Sequence, residues 1–533
     1  MPARAETALT RFMPAIPRPI ERLALRMLSP ADALCNRLYG WRFNPLYQSG
    51  TIVVALYIVL IVTGVWLTVL YRVGAPWESV ARLTANPWTG NWVRGVHRYA
   101  SDLALLATLV HAFRMFAQGR SWGARALAWM SGSVLLLLLL VCGWTGYVMV
   151  WDTFGQHLAR EGARMLDALP VLSEPTSRAF TGEQPLPSAF FFLNLFAHIG
   201  IPLGMAVVFW IHVRRVARPL LLPQSRMTWL IVGALVAMAV VRPLTMAPKA
   251  DPFQVPDELP VDLFYAFWLP LSGAVGGGTA LLFATGIGTV LLLVPFMMRR
   301  RGADHPAPSW VDETLCTGCV QCSLDCPYGA IEMVARTGPR SELVAHVNPS
   351  LCVSCGICAG SCPPMGVGPP GRTGRDQLAR ARELVVRERP DGKIVVISCD
   401  QGAGAFAADI AAAGGVPHPV SCAGGLHTSV VEFLLREGAG GVLVLACPPR
   451  DCWNREGPRW LVERMYHERE AELQDRVDRA RVRVAHVNAG ERRQALDALH
   501  SFAADVAALG AALPDGTGEP DVECEPVALS PRR

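Results

Sequence analysis

Four histidines fall at one repeated interval. His97 and His111 close the segment HRYASDLALLATLVH, and His198 and His212 close HIGIPLGMAVVFWIH, 14 residues apart in each case. Fourteen residues of α-helix rise about 21 Å and make nearly four whole turns, so both rings of a pair leave one face. An intramembrane histidine is costly and marks a functional site by default. In an alternating bundle the two helices run the same way, which puts His97 level with His198 and His111 level with His212. Each level then offers two imidazoles to one metal. Gly50 and Gly64, and Gly132 and Gly146, repeat the interval on two further apolar segments. A large flat ligand wedged in a bundle needs neighbouring helices without side chains at its edge. Four helices with matched pairs predict two haems stacked across the membrane, each held by two histidines. The plainer reading is of satisfied core histidines and glycines that only permit close packing, and it has to produce one spacing four times over.

Eight cysteines form two runs. LCTGCVQCSLDCP carries Cys316, Cys319, Cys322 and Cys326, and LCVSCGICAGSCPP carries Cys352, Cys355, Cys358 and Cys362. Each has the C-x2-C-x2-C-x3-C-P spacing of two-cluster ferredoxins, in which the fourth cysteine crosses to the other cluster. Cys316, Cys319, Cys322 and Cys362 are therefore assigned to one [4Fe–4S] cluster. Cys352, Cys355, Cys358 and Cys326 are assigned to the other. Zinc sites do not usually show this three-plus-one pattern twice. Cys399, Cys422 and Cys447 lie near the ends of expected strands and Cys452 follows Cys447 by five residues; one cysteine at a strand end is ordinarily a small core residue, but four at loop positions argue for a metal site. Cys35, Cys142 and Cys524 receive no ligand role.

The elements that must position these residues follow from hydropathy. Mean hydropathy is +0.29 and 51% of residues are hydrophobic, high for a soluble protein. Six stretches, near 50–71, 97–117, 127–150, 190–213, 227–246 and 272–298, are candidate spans at about 20 residues each. Arginines before the first span and after the second, fourth and sixth put both termini in the cytoplasm by the positive-inside rule. Arg-rich and broken by prolines, the first 30 residues do not read as a cleavable signal peptide. The net charge of +5 is spread out, without a basic patch and interleaved aromatics, so nucleic acid is not an expected partner. Ten of the 15 cysteines fall in tight clusters after residue 310, which favours metal clusters in a reducing compartment over disulfides. Beyond 390, buried strands alternate with helices, the pattern of a small parallel α/β sheet. The expected architecture is multi-domain: an α-helical transmembrane bundle, a bacterial-ferredoxin-like α+β domain and a small α/β domain. Its divisions are an amphipathic cytoplasmic segment at 1–40, a four-helix dihaem domain at 41–220 and two further transmembrane helices at 221–300. A two-[4Fe–4S] domain at 306–371, the α/β domain at 391–510 and a disordered tail at 511–533 follow.

Residues 40–300 resemble cytochrome b of the quinol–cytochrome c and plastoquinol complexes. Arg94 lies three before His97 and Arg114 three after His111, as in that family, and GWTGYVMVW (143–151) is similar to its GxxGYVxPW, with Val150 for the proline. The resemblance implies that Arg94 and Arg114 help to bind the haems. Where the family has PEWY, this chain reads Pro260-Val261-Asp262-Leu263, without the glutamate. Residues 391–510 look like the delta-subunit family of methyl-viologen-reducing hydrogenase, on Cys399-Asp400-Gln401, Ser421-Cys422-Ala423-Gly424, CPPRDC (447–452) and Arg455-Glu456-Gly457. That resemblance implies one [2Fe–2S] cluster on Cys399, Cys422, Cys447 and Cys452, and a flavoprotein partner of the heterodisulfide-reductase type. Pro448 and Ser421 depart from the family pattern at positions not expected to be ligands.

No nucleophile–base motif and no nicotinamide or flavin fingerprint is recognisable, so the chain is expected to move electrons while its partners carry out two-electron chemistry. The leading expectation is a subunit of the cytoplasmic (inner) membrane that links a cytoplasmic flavoprotein, hydrogenase or dehydrogenase to the quinone pool. Electrons would pass from the Cys399 group through the ferredoxin domain to the His111/His212 haem, with quinone reacting near Arg114. In reverse operation, quinol would be oxidised near the outer haem, with Asp152, His157 or Asp262 taking its proton. The alternative is a non-catalytic anchor of a hydrogenase-like or heterodisulfide-reductase-like complex. The cytochrome b resemblance implies a homodimer. A complete quinol–cytochrome c complex is not expected, because no CxxCH or Rieske motif is present.

Overall fold

The computed structural model describes residues 18–169, 175–180, 186–214, 218–251, 262–298, 306–336, 342–467, 469 and 471–511. Residues 512–533 of the expected disordered tail lie outside them, as do Pro260 and Val261; Ala511, its first residue, ends a helix.

The first half is helical: α1 (Arg18–Phe43), α2 (Ser49–Leu70), α3 (Trp92–Ala117), α4 (Ala126–Val150), α5 (Thr153–Leu166), α6 (Ser188–Arg214), α7 (Ser225–Val241) and α8 (Gly277–Met297). Among the described residues, α2, α3 with the turn before it, α4, α6 and α8 are long and apolar enough to cross a bilayer. The chain is a multi-pass membrane protein. The expected span near 227–246 is the 17-residue helix α7, capped at Arg242 and followed by extended chain. Pro243 follows the cap and cannot continue the helix. At 1.5 Å per residue α7 covers about 26 Å, less than a hydrocarbon core of about 30 Å. The stretch is as apolar as expected but three residues shorter, and it ends five residues earlier. Helix α2 packs along α3, and α4 along α6, so each glycine-bearing helix lies beside a histidine-bearing one.

Helix α1 lies outside the spans and carries buried Asp32 and Asn36 on its inner face. It bends at Gly40, whose φ of 69° is open to glycine at little cost.

The second half is α/β with three small sheets. Strands β1 (Trp310–Val311), β2 (Ile331–Ala335), β3 (Leu343–Val347) and β4 (Val367–Gly368) pair antiparallel as β1–β4 and β2–β3. Strands β5 (Ile394–Cys399), β6 (Val416–Val420), β7 (Gly441–Ala446) and β8 (Val482–His486) form a parallel sheet in the order β6–β5–β7–β8. Every residue of β5 and β7 is buried, as their unbroken apolar runs require of a sheet covered on both faces. Val395, Ile397, Val442 and Val444 meet Val430, Leu434, Leu461 and Met465 on one face. Ile394, Val396, Leu443 and Leu445 meet Ile410, Leu499 and Phe502 on the other.

Candidate redox sites

The packing of α2 on α3 and of α4 on α6 brings each histidine against one glycine. A Cβ added at Gly64 would stand 3.2 Å from Cε1 of His97, and one at Gly50 would stand 2.9 Å from Cε1 of His111. At Gly146 and Gly132 the distances to Cε1 of His198 and His212 are 3.0 and 3.1 Å. Any side chain there would press on the ring. Leucine at Gly146 cannot be absorbed by a small shift of the neighbour, so Gly146→Leu is expected to remove one of two b-type absorbance signals and leave the other.

The rings of His97 and His198 face each other with centroids 6.4 Å apart. A metal midway between two imidazole nitrogens, with bonds of about 2 Å, puts the centroids roughly 6 Å apart. His111 and His212 line one cavity of about 210 Å³ together with Gly50 and Gly132. Its walls are Val53, Val54, Leu135, Leu136, Leu139 and Met205. These are cradles that fit a flat macrocycle held on both faces by imidazole, and haem there would supply a one-electron couple.

Each glycine is preceded by a hydroxyl residue that fixes the histidine. Thr63 Oγ1 is 2.9 Å from Nδ1 of His97, Ser49 Oγ 3.3 Å from Nδ1 of His111, Thr145 Oγ1 2.9 Å from Nδ1 of His198, and Ser131 Oγ 3.2 Å from Nδ1 of His212. A hydroxyl has one proton. Thr63 donates its proton to Val59 O, Ser131 to Leu127 O and Thr145 to Cys142 O, each at 2.7 Å. At these three sites the histidine Nδ1–H must therefore be the donor, which leaves the Nε2 lone pair for a metal. The repeated Ser-Gly or Thr-Gly pair is visible in the sequence at all four positions.

The cysteine runs fold as two similar loops. Gly318 and Val320 in the first, and Ser354 and Gly356 in the second, take left-handed φ between 59° and 80°. Such a conformation costs a β-branched residue such as Val320 about 1–2 kcal/mol. It turns successive amides inward. Cys316, Cys319, Cys322 and Cys362 ring one small cavity with Val311, Met333 and Val367, three thiols from the first run and one from the second. Backbone amides of Ala330 and Gly366 donate to Cys326 Sγ and Cys362 Sγ at 3.3 Å, and Ser309 N donates to Cys352 Sγ at 3.3 Å. Among the described residues no three His, Cys, Asp or Glu side chains converge on one point as a single ion would need.

Cys399 ends β5, and Cys422 and Cys447 follow the ends of β6 and β7, all at the carboxyl edge of the parallel sheet. Cys447 Sγ is 3.6 Å from Cys399 Sγ, and Asn454 Nδ2 donates to Cys422 Sγ at 3.4 Å. A Cβ at Gly457 would lie 3.4 Å from Cys422 Sγ and 3.5 Å from Cys452 Sγ, so the backbone closes directly over these two thiols. Cys142, given no ligand role, lies beside His198, with its Sγ 3.7 Å from Nδ1.

Arg94 donates to Thr84 Oγ1 at 2.9 Å. Arg114 is 1% exposed and is not among the residues lining the His111/His212 cavity. It is held between two acids, Asp32 at 2.6 Å and Asp451 at 2.7 Å, with Tyr47 against its face. Asp451 belongs to the CPPRDC loop, and it also accepts from Gln118 at 2.8 Å and from Asn488 at 2.7 Å. Burial alone would raise the Asp451 carboxyl, but Arg114 and Arg120 hold it below its usual value. Arg120 and Arg125 bond the backbone carbonyls of Asp451 and Trp453 and stack on the Trp453 ring. Arg450, Asp451 and Arg455 all line the cavity of His111 and His212.

The loop between Cys447 and Cys452 lines the His111/His212 cavity, and no described residue of the ferredoxin region does. The ferredoxin region packs instead on the Cys422 side. Tyr328 bonds Asn454 at 3.2 Å, His427 Nε2 lies 3.1 Å from Cys362 O, and Gly425 packs against the backbone of Gly356.

On the opposite side of the bundle, Asp262 pairs with Arg98 at 2.7 Å and accepts from the Tyr147 hydroxyl. Burial pushes its carboxyl up. Tyr147, the Tyr265 amide and Arg98 more than offset this and hold it below its usual value. Asp152 caps α5 through Gly155 N at 2.9 Å, and burial holds the His157 imidazole below its usual value.

Three family models match the chain. Residues 36–219 match cytochrome b/b6/petB, residues 315–365 the 4Fe-4S dicluster domain, and residues 394–510 the methyl-viologen-reducing hydrogenase, delta subunit. A solved structure described as "Hyperthermophilic respiratory Complex III" aligns over 47% of this chain and 75% of its own, at 15% identity and a TM-score of 0.37. The chain is a membrane electron-transfer subunit that joins, in one polypeptide, a cytochrome b segment, a 4Fe-4S dicluster domain and a segment of the methyl-viologen-reducing hydrogenase delta-subunit type.

Proposed function

We propose that this subunit relays electrons between a cytoplasmic flavoprotein, hydrogenase or dehydrogenase and the quinone pool. Its ligand sets would be His97/His198 and His111/His212 for two b haems, the two crossed sets of four cysteines for two [4Fe–4S] clusters, and Cys399, Cys422, Cys447 and Cys452 for one [2Fe–2S] cluster. The observation that carries this reading is the two-level histidine set, with a glycine cradle and a hydroxyl partner at every ring. The contacts between the loops favour one sequence of centres. The Cys316 set is outermost, the Cys352 set follows, the Cys399 set comes third, and the His111/His212 level receives electrons from it. The soluble partner then docks on the ferredoxin side. Asp152, His157 and Asp262 are the candidate proton acceptors for quinol oxidised at the outer level, with Asp262 placed beside Tyr147 and Arg98.

The test is a redox-poised optical and EPR titration of the purified protein, followed by quinol. Two b-type and three iron–sulfur signals, with haems that quinol reduces, are expected. Absence of the haems, or haems blind to both quinol and quinone, overturns the reading.

A further inference from the structure

We propose that Arg455, a residue of the delta-subunit-type segment, binds the carboxylate edge of the haem at His111 and His212, so that one cytoplasmic loop both carries cluster ligands and completes a haem pocket in the membrane helices. This rests on the function proposed above.

The argument is one of charge and shape. The cavity has apolar walls and a cationic end. Its described lining includes Arg120, Arg125, Arg450 and Arg455, with Asp451 as the one carboxylate among them. Asp451 is already committed to Arg114, Gln118 and Asn488, and of the four cations lining the cavity it pairs with Arg120 at 3.4 Å. Among the described residues the Arg455 guanidinium makes no hydrogen bond or ion pair, and Arg120 Nε is buried without a partner. A desolvated group of like charges requires an anion. Haem b brings two carboxylates at one edge of an apolar disc, which matches the arrangement.

The backbone agrees. Arg455 has a left-handed φ of 61°, three residues past Cys452 and two before Gly457. Strain of this kind is retained where the surrounding structure requires a side chain to be aimed. Here it turns the guanidinium toward the cavity while Cys452 faces Gly457.

The experiment is the redox-poised optical titration of full-length Arg455→Gln and Arg455→Lys beside the wild type. A nearby cation disfavours the more positive oxidised haem, so its loss lowers the midpoint. In Arg455→Gln one haem midpoint falls, the other stays, and the iron–sulfur EPR signals persist. Arg455→Lys keeps the charge but loses the planar fork, and gives a smaller fall in the same haem; it is read alone where Arg455→Gln does not assemble. Wild-type midpoints in the variants, or equal shifts in both haems, overturn the proposal. A wild type without b-type signals overturns the proposed function as well, which separates the two failures.

Discussion

Replacing Asp451 by alanine will loosen the C-terminal half of the protein from its membrane helices. Arg114 is buried near the C-terminal end of α3, and Asp451 takes two of its hydrogen bonds while Asp32 takes one. Removing one partner of a buried pair costs about 3–5 kcal/mol when the remaining charge is left unpaired. Arg114 keeps Asp32, so the lower end applies, and at about 1.4 kcal/mol per tenfold that is about two orders of magnitude in the docking equilibrium. Gln118 and Asn488 lose an acceptor in the same step. The expected readout is rapid proteolysis between residues 298 and 306 and slowed haem reduction from the iron–sulfur side, with haem content unchanged. Resistance equal to wild type would show that the joint is held elsewhere. Asp32 is the useful contrast. Burial raises its carboxyl to about 6, against the pull of Arg114 and with Asp451 and Glu491 adding to the rise. A raised acid binds its proton more tightly in the folded chain, so its contribution to stability is present below the ordinary value and lost as pH rises through 6. Two units correspond to roughly 3 kcal/mol. Asp32→Asn is therefore expected to hold the joint at least as well as wild type at pH 7.5 and to flatten its pH dependence between 5 and 7, while Asp451→Ala weakens it throughout.

Replacing His111 by leucine is expected to remove one b-type signal and to stop electrons from the clusters at the membrane face. The His97/His198 level is about 21 Å further along the same helices, and no other ligand set lies between. The remaining haem should keep its absorbance, because its glycines, Thr63 and Thr145 are untouched. Stopped-flow reduction from the iron–sulfur side measures the break. Undiminished reduction of the outer haem would exclude the sequence of centres proposed here.

Much of this was legible in residue order because the chemistry is periodic or local. The 14-residue intervals locate four rings and four cradles, and the short cysteine runs foretell the four thiols that surround one small cavity, without any knowledge of packing. The hydroxyl partners Ser49, Thr63, Ser131 and Thr145 are legible too, once the requirement for a fixed Nδ1–H is imposed. What sequence could not supply is the joint. Arg114 meets Asp32 82 residues away and Asp451 337 residues away, and no period links them. The position of Arg114 three after His111 pointed to the haem, whereas its charge is spent on the contact between domains. Arg455 carries no spacing signal either. Its relevance appears only when the CPPRDC loop is seen against the cavity. The short helix α7 is a different kind of miss, since its composition reads as a span and only Arg242 and Pro243 end it early.

The joint around Arg114 also sets an order of events during synthesis. Arg114 and Asp32 leave the ribosome early, but Asp451 follows Arg114 by 337 residues. At about 5–20 residues per second, the arginine waits roughly 20–70 seconds for its second partner. Throughout that interval the membrane helices fold with Asp32 as the provisional counter-charge. The wall of the His111/His212 cavity that Arg450, Asp451 and Arg455 supply is missing throughout that interval, so the pocket in the membrane helices is completed only when the last third of the chain arrives.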